Sequence, residues 1–146
     1  MLLPECLGRV CERVDLMQAP RHPWHHADQS ELKPVPLIHL RTSLPEISNP
    51  TDLLQELSAQ LAQQTGKPES YVMTLLDTAV PMTFGGSSQP SAFVEIKSIG
   101  ALRPPAMSAA FCELISARTG IPANRIYIQF EDVPASCWGW DGRTFG

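Results

Sequence analysis

Residues 49–76 read NPTDLLQELSAQLAQQTGKPESYVMTLL, and residues 103–130 read RPPAMSAAFCELISARTGIPANRIYIQF. The two stretches follow one pattern. Each opens with proline where a helix begins, at Pro50 and at Pro104-Pro105, a position whose N–H has no helical partner in any case. Asn49 is of a favoured N-cap type. Leu53, Leu54, Leu57 and Leu61 then fall on one helical face, and Met107, Phe111, Leu114 and Ile115 on another. Thr65-Gly66-Lys67-Pro68 closes the first helix and Thr119-Gly120-Ile121-Pro122 the second, 54 residues apart (65 and 119). In both, glycine stops the helix and proline forbids its continuation. Tyr71–Leu76 (YVMTLL) reads as a buried strand and Arg125–Phe130 (RIYIQF) as a further strand. The two β-rich runs end at Asp77 and Asp132.

Outward from these stretches the pattern stays regular. Pro36–Arg41 (PLIHLR) reads as a short strand. In Ala92–Lys97, Ala92, Val94 and Ile96 alternate with Phe93, Glu95 and Lys97, which is strand period. Phe84-Gly85-Gly86-Ser87-Ser88 reads as a turn. Each helix therefore has a strand on either side, giving two βαβ-like units in tandem. The expected fold is α/β, with two helices packed on one face of a four-stranded sheet. The opposite face then needs a cover, so self-association is expected.

Composition bounds the rest. A chain of 146 residues, 43% hydrophobic, is one domain with a real core. A net charge of −4 lacks the basic footprint of a nucleic-acid binder. No apolar run approaches the roughly 20 residues that cross a bilayer. Glu5, Arg9, Glu12, Arg13 and Asp15 interrupt the N-terminus too early for a signal-peptide core, so a cytoplasmic location is expected. Cys6, Cys11, Cys112 and Cys137 include no Cys-x-x-Cys pair and read as free thiols, with Cys112 buried in a helix. Residues 1–35 show no sustained period and read as an extension without fixed structure. His22, His25, His26 and Asp28 have metal-ligand chemistry. Pro23 divides them and no folded frame flanks them, so an unstructured tail is the plainer reading.

The stretch from Pro36 to Phe145 resembles the family of macrophage migration inhibitory factor and D-dopachrome tautomerase. The motifs that carry the resemblance come in order: Pro36 opening the first strand, Thr65-Gly66-Lys67-Pro68, Phe84-Gly85-Gly86-Ser87-Ser88, Ser98-Ile99-Gly100, Arg125-Ile126-Tyr127-Ile128, and Gly139-Trp140 with Thr144-Phe145. The resemblance implies a homotrimer with a site at each subunit interface. It also implies keto–enol tautomerisation of phenylpyruvate- or dopachrome-type keto acids. The base would be the secondary amine of Pro36 as the N-terminal residue. Lys67 would bind the substrate carboxylate, helped by the backbone amide of Ile99. Tyr127, with Gln129 in place of the family's asparagine, would come from a neighbouring subunit. Tyr71, Trp140 and Phe145 would form an aromatic wall. No metal or organic cofactor is implied, and the family leaves open export without a signal peptide.

The sequence also departs from the family pattern. Ser91-Ala92-Phe93-Val94 stands where macrophage migration inhibitory factor has Cys-x-x-Cys, so thiol–disulfide chemistry has no resolving thiol here. Trp138 replaces a small apolar residue, and the connection before the second helix is shortened. On pattern alone, Lys67 is a helix-end cation, Tyr71 and Tyr127 are strand core, and Pro36 merely begins a strand. Pro36 is also internal in this chain, where its nitrogen is a tertiary amide and not a base. Translation from a GTG codon at Val35 with methionine removal, or proteolysis, would free it. A retained extension would leave a non-catalytic, cytokine-like trimeric interaction module.

Overall fold

The computed structural model describes residues 35–146. The expectations for the extension, its histidine cluster and Cys6 and Cys11 lie outside the described residues. Six strands and two α-helices follow in order: β1 (Leu37–Thr42), α1 (Pro50–Thr65), β2 (Met73–Asp77), β3 (Ala92–Ser98), α2 (Pro104–Thr119), β4 (Ile126–Asp132), β5 (Gly139–Trp140) and β6 (Arg143–Thr144). The main sheet has the order β2-β1-β3-β4, and β5 pairs with β6 in a small hairpin. β1 runs parallel to β2, β3 runs parallel to β4, and β1 meets β3 antiparallel. Two βαβ units are thus joined through their first strands.

The repeat extends to individual side chains. Leu53, Leu57 and Leu61 are the fully buried leucines of α1, and Met107, Phe111 and Ile115 occupy the equivalent places of α2, each 54 residues on. With Ile38, Leu40, Val94 and Ile96 they form one core between the helices and the sheet. Leu114 and Cys112 lie only partly buried at its margin. The helix ends also repeat. Thr65 and Thr119 each donate a hydroxyl to the carbonyl four residues back, at 2.7 and 2.6 Å. Gly66 and Gly120 then take left-handed φ of 69° and 75°. A Cβ at Gly120 would meet no neighbour, so only backbone strain opposes a side chain there. Gly120→Ala should therefore cost about 1–2 kcal/mol, seen as a lower urea midpoint at unchanged m.

Two expectations need correction. Tyr71–Leu76 is not a buried strand. Tyr71 ends a short 3₁₀ turn (Glu69–Tyr71), and β2 lies at the sheet edge with Met73 and Leu75 exposed. The exposure of this apolar run follows from the outer position of β2 in the sheet order, which sequence period does not report. Asn49 sits at the N-cap, and its carbonyl accepts from the Leu53 N–H. Its backbone is left-handed, and its side chain makes no capping bond. Capping geometry needs the extended region instead.

The face opposite the helices is mixed in character. His39, Arg41, Asp77, Glu95, Lys97 and Glu131 pair across its middle: His39–Asp77 at 2.7 Å, Arg41–Glu95 at 3.2 Å and Lys97–Glu131 at 3.5 Å. The exposed apolar groups stand at the two outer strands, as Met73 and Leu75 on β2 and Tyr127 on β4. Among the described residues no helix is long and apolar enough to cross a membrane.

Candidate functional site

The site grows from the N-terminal end of β1. Leu37 pairs with Met73 on one side and Lys97 on the other. Continuing both registers by one residue sets Pro36 between Val72 and Ser98. The Met73 N–H donates to the Pro36 carbonyl at 3.1 Å, which fixes that place. Pro36 is buried, on the helix side of the sheet by the alternation of β1.

Lys67 arrives at the same spot from the end of α1. Its ammonium donates to Ser98 Oγ at 3.1 Å and to the Ile99 carbonyl at 2.6 Å. It is therefore not a free helix-end cation. Burial pushes the ammonium below the ordinary lysine range, and the nearby Asp132 charge partly restores it. The Gly100 N–H donates to that Asp132 carboxylate at 2.8 Å. Tyr71, one residue before Val72, meets Trp140 edge-on at 6.0 Å between ring centroids. Trp140 stacks on Phe145 at 6.3 Å. Pro36, Lys67, Ile99, Tyr71, Trp140 and Phe145 thus lie around one end of strands β2, β1 and β3, drawn from separate parts of the chain.

Tyr127 and Gln129 do not join them. They pair with Phe93 and Glu95 on the open face of the sheet. Tyr127 lies two strands across from Pro36 and five residues along from the Ser98–Asp132 level, about 19 Å from Pro36 at ordinary strand spacings. It is 65% exposed and packs on Phe84 at 4.6 Å, so it is not strand core. Arg125 holds Phe84 and its loop in place. The guanidinium donates to the carbonyls of Gln89 at 2.8 Å and Pro90 at 2.9 Å, and lies over the Phe84 ring. Gly85 and Gly86 both have positive φ between the paired Phe84 and Ser87, the tight hairpin turn that glycine favours.

Sequence reasoning missed Ser98 as the acceptor for Lys67 and Asp132 as the acceptor for Gly100. Their signals were present, since Ser98-Ile99-Gly100 stands out as a motif and Asp132 ends the repeat. The meeting of Ser98 with Lys67 depends on tertiary packing, and that of Asp132 with Gly100 on the β3–β4 register, and both are invisible locally. Cys112 is partly buried and its thiol is pushed up by burial, while Cys137 is an exposed free thiol.

Tandem βαβ units on one mixed sheet, with a proline and a lysine both brought to Ser98 at one end of the sheet, define an α/β class with a candidate site at that end. The sequence model for macrophage migration inhibitory factor matches residues 35–146, and the chain belongs to that family. It is 40% identical over 114 residues to macrophage migration inhibitory factor of Meriones unguiculatus, covering 76% of this chain and 99% of the relative. The Xenopus laevis protein is 36% identical with the same coverage. Among solved structures, a macrophage migration inhibitory factor homologue from Prochlorococcus marinus superposes with a TM-score of 0.73 at 53% identity. That match covers 75% of this chain and 99% of the homologue. The Trichinella spiralis protein gives 0.71 at 34% identity, covering 74% and 98%.

Proposed function

We propose that this protein is a keto–enol tautomerase acting on phenylpyruvate- or dopachrome-type keto acids, with Pro36 as general base once it is N-terminal. The observation that carries the reading is the convergence of buried Pro36 and the Lys67 ammonium on Ser98. A free α-amine has a reference pKa of about 7.7–8.0. Burial and a neighbouring cation both lower it, towards the value at which a base works best near neutral pH. That amine takes the proton from the carbon next to the keto group. Lys67 and the Ile99 N–H grip the carboxylate with charge-assisted hydrogen bonds. Tyr71, Trp140 and Phe145 hold the aromatic ring and exclude water. The proton is then returned at the other end of the enol.

Tyr127 and Gln129 enter this reading only through a second copy of the chain. Their place on β4, at the opposite edge from β2, supports a ring of subunits in which one chain's β4 approaches the next chain's site. The exposed apolar groups on both outer strands support the same homotrimer. A cytoplasmic location, with export independent of a signal peptide, belongs to the same reading.

The chain beginning at Pro36 should interconvert enol- and keto-phenylpyruvate, and a lack of conversion would sink the assignment. Lys67→Met should raise KM about ten- to hundredfold, the worth of a lost hydrogen bond to a charged group. Because Lys67 titrates below the ordinary lysine range, binding should weaken with rising pH earlier than a normal lysine would allow. A KM that is flat up to that ordinary range would refute Lys67 as the carboxylate ligand.

One observation favours a second reading. In this sequence Val35 precedes Pro36, and a retained extension leaves an acylated nitrogen. The protein would then be a trimeric interaction module. Intact mass of the native protein decides between the two: a mass beginning at Pro36 supports catalysis, and 16.1 kDa supports the module.

A further inference from the structure

The peptide group between Ile99 and Gly100 sits between two charges. Its carbonyl accepts from the Lys67 ammonium at 2.6 Å, and its N–H donates to the Asp132 carboxylate at 2.8 Å. A trans peptide is planar, with C=O and N–H pointing in opposite directions. The cation and the anion therefore hold one rigid unit from its two ends, and hydrogen bonds in such a chain polarise one another. The preceding peptide is anchored as well. The Val133 N–H donates to the Ser98 carbonyl at 2.9 Å, which by the same planarity sets the direction of the Ile99 N–H. Consecutive residues at the end of β4 thus fix both peptides of the Ser98–Gly100 turn, as the Ser98–Asp132 register requires.

We propose that Asp132 is a positioning residue of the substrate site, holding the Ile99–Gly100 peptide so that the Lys67 ammonium and the Ile99 N–H are presented to one carboxylate. The inference rests on the keto-acid reading of this site. An ammonium has three donors. Ser98 Oγ and the Ile99 carbonyl take two of those on Lys67, which leaves one for an incoming anion. Asp132 also opposes the burial that drives Lys67 toward its neutral form. Asp132 is solvent-exposed, so water screens its long-range pull. It therefore acts on Lys67 mainly through the Ile99–Gly100 peptide, because an Ile99 carbonyl held on the ammonium by the Gly100 hydrogen bond favours the charged form. An exposed carboxylate contributes little to the core, and its replacement leaves the fold intact.

Two substitutions separate charge from geometry. Asp132→Asn keeps an oxygen for the Gly100 N–H and loses the charge, whereas Asp132→Ala loses both. The first readout is the Lys67 titration, followed by NMR at its side chain in the full chain, and both variants should titrate at lower pH than the parent. The second is steady-state kinetics on phenylpyruvate in the chain beginning at Pro36. Asp132→Ala should raise KM about tenfold, the worth of a hydrogen bond to a charged group. Asp132→Asn should raise it less, with kcat within about twofold in both. The KM gap should widen as pH rises. A purely structural role would lower the melting temperature without this ordered split. If Asp132→Ala leaves either the Lys67 titration or KM at the parent value, the proposal is overturned. If the parent itself shows no conversion, the keto-acid reading falls, and the Lys67 titration alone decides for or against Asp132.

Discussion

The chain beginning at Pro36 is expected to exceed the full chain in phenylpyruvate tautomerisation by about 10²–10⁴-fold, the usual worth of a positioned general base. The physical reason lies in one nitrogen. Acylated by Val35, it lends its lone pair to the carbonyl and cannot accept a proton at neutral pH. Freed, it is a secondary amine in a buried place beside Lys67. Pro36→Gly in the shortened chain should lose most of the gain, because a primary amine on an unconstrained backbone holds neither the same basicity nor the same direction. The shortened chain should keep its fold, since the core residues Ile38 to Ile126 all follow Pro36. Enol–keto conversion followed by absorbance, side by side for the three chains, is the check. Equal rates in the full and shortened chains would remove Pro36 from the chemistry while leaving the architecture untouched.

The largest stability effect is expected at Phe111. Its ring is fully buried where α2 faces the sheet, at the position equivalent to Leu57 in α1. Phe111→Ala removes the transfer energy of the ring and leaves a cavity that the opposing helix and strands cannot fill. The cost should be about 3–5 kcal/mol. For a domain of this size that corresponds to a melting temperature lower by roughly 10–25 °C. Leu114→Ala, one turn on but only partly buried, should cost clearly less. Calorimetry on the two variants tests both statements. Similar losses at the two positions would mean that α2 is not docked through the Phe111 face.

The aromatic wall and the lysine were legible as residues before they were legible as a site. Lys67 is recognisable from Thr65-Gly66-Lys67-Pro68, because glycine and proline end the helix by local sterics and so fix where the next side chain emerges. Trp140 and Phe145 were legible only through the family motif, for nothing local links a C-terminal hairpin to the end of α1. Their contact with Tyr71 is a tertiary fact. The same holds for Ser98, which meets Lys67, and for Asp132, which meets Gly100 through strand register. The misreading of Tyr71–Leu76 as buried has a similar cause. An apolar run has the same composition whether its strand is central or at an edge, and only the order of strands distinguishes the two. The charge pairs of the open face were not legible because His39, Arg41, Glu95 and Lys97 alternate with core residues along single strands, while their pairing is made across strands.

By itself the sequence determined the elements of this protein: two helices with matching faces, their proline starts and glycine ends, the alternating strands, and the 54-residue repeat that joins them. Those are short-range properties, set by backbone sterics and by the period at which side chains fall on one face. The tertiary structure alone decided which strand lies at the edge and how Lys67, the Ile99–Gly100 peptide and Asp132 come into line. It also decided that Tyr127 stands far from Pro36 within one chain. Those depend on pairing between residues distant in sequence, where a one-residue change of register would send every side chain to the opposite face.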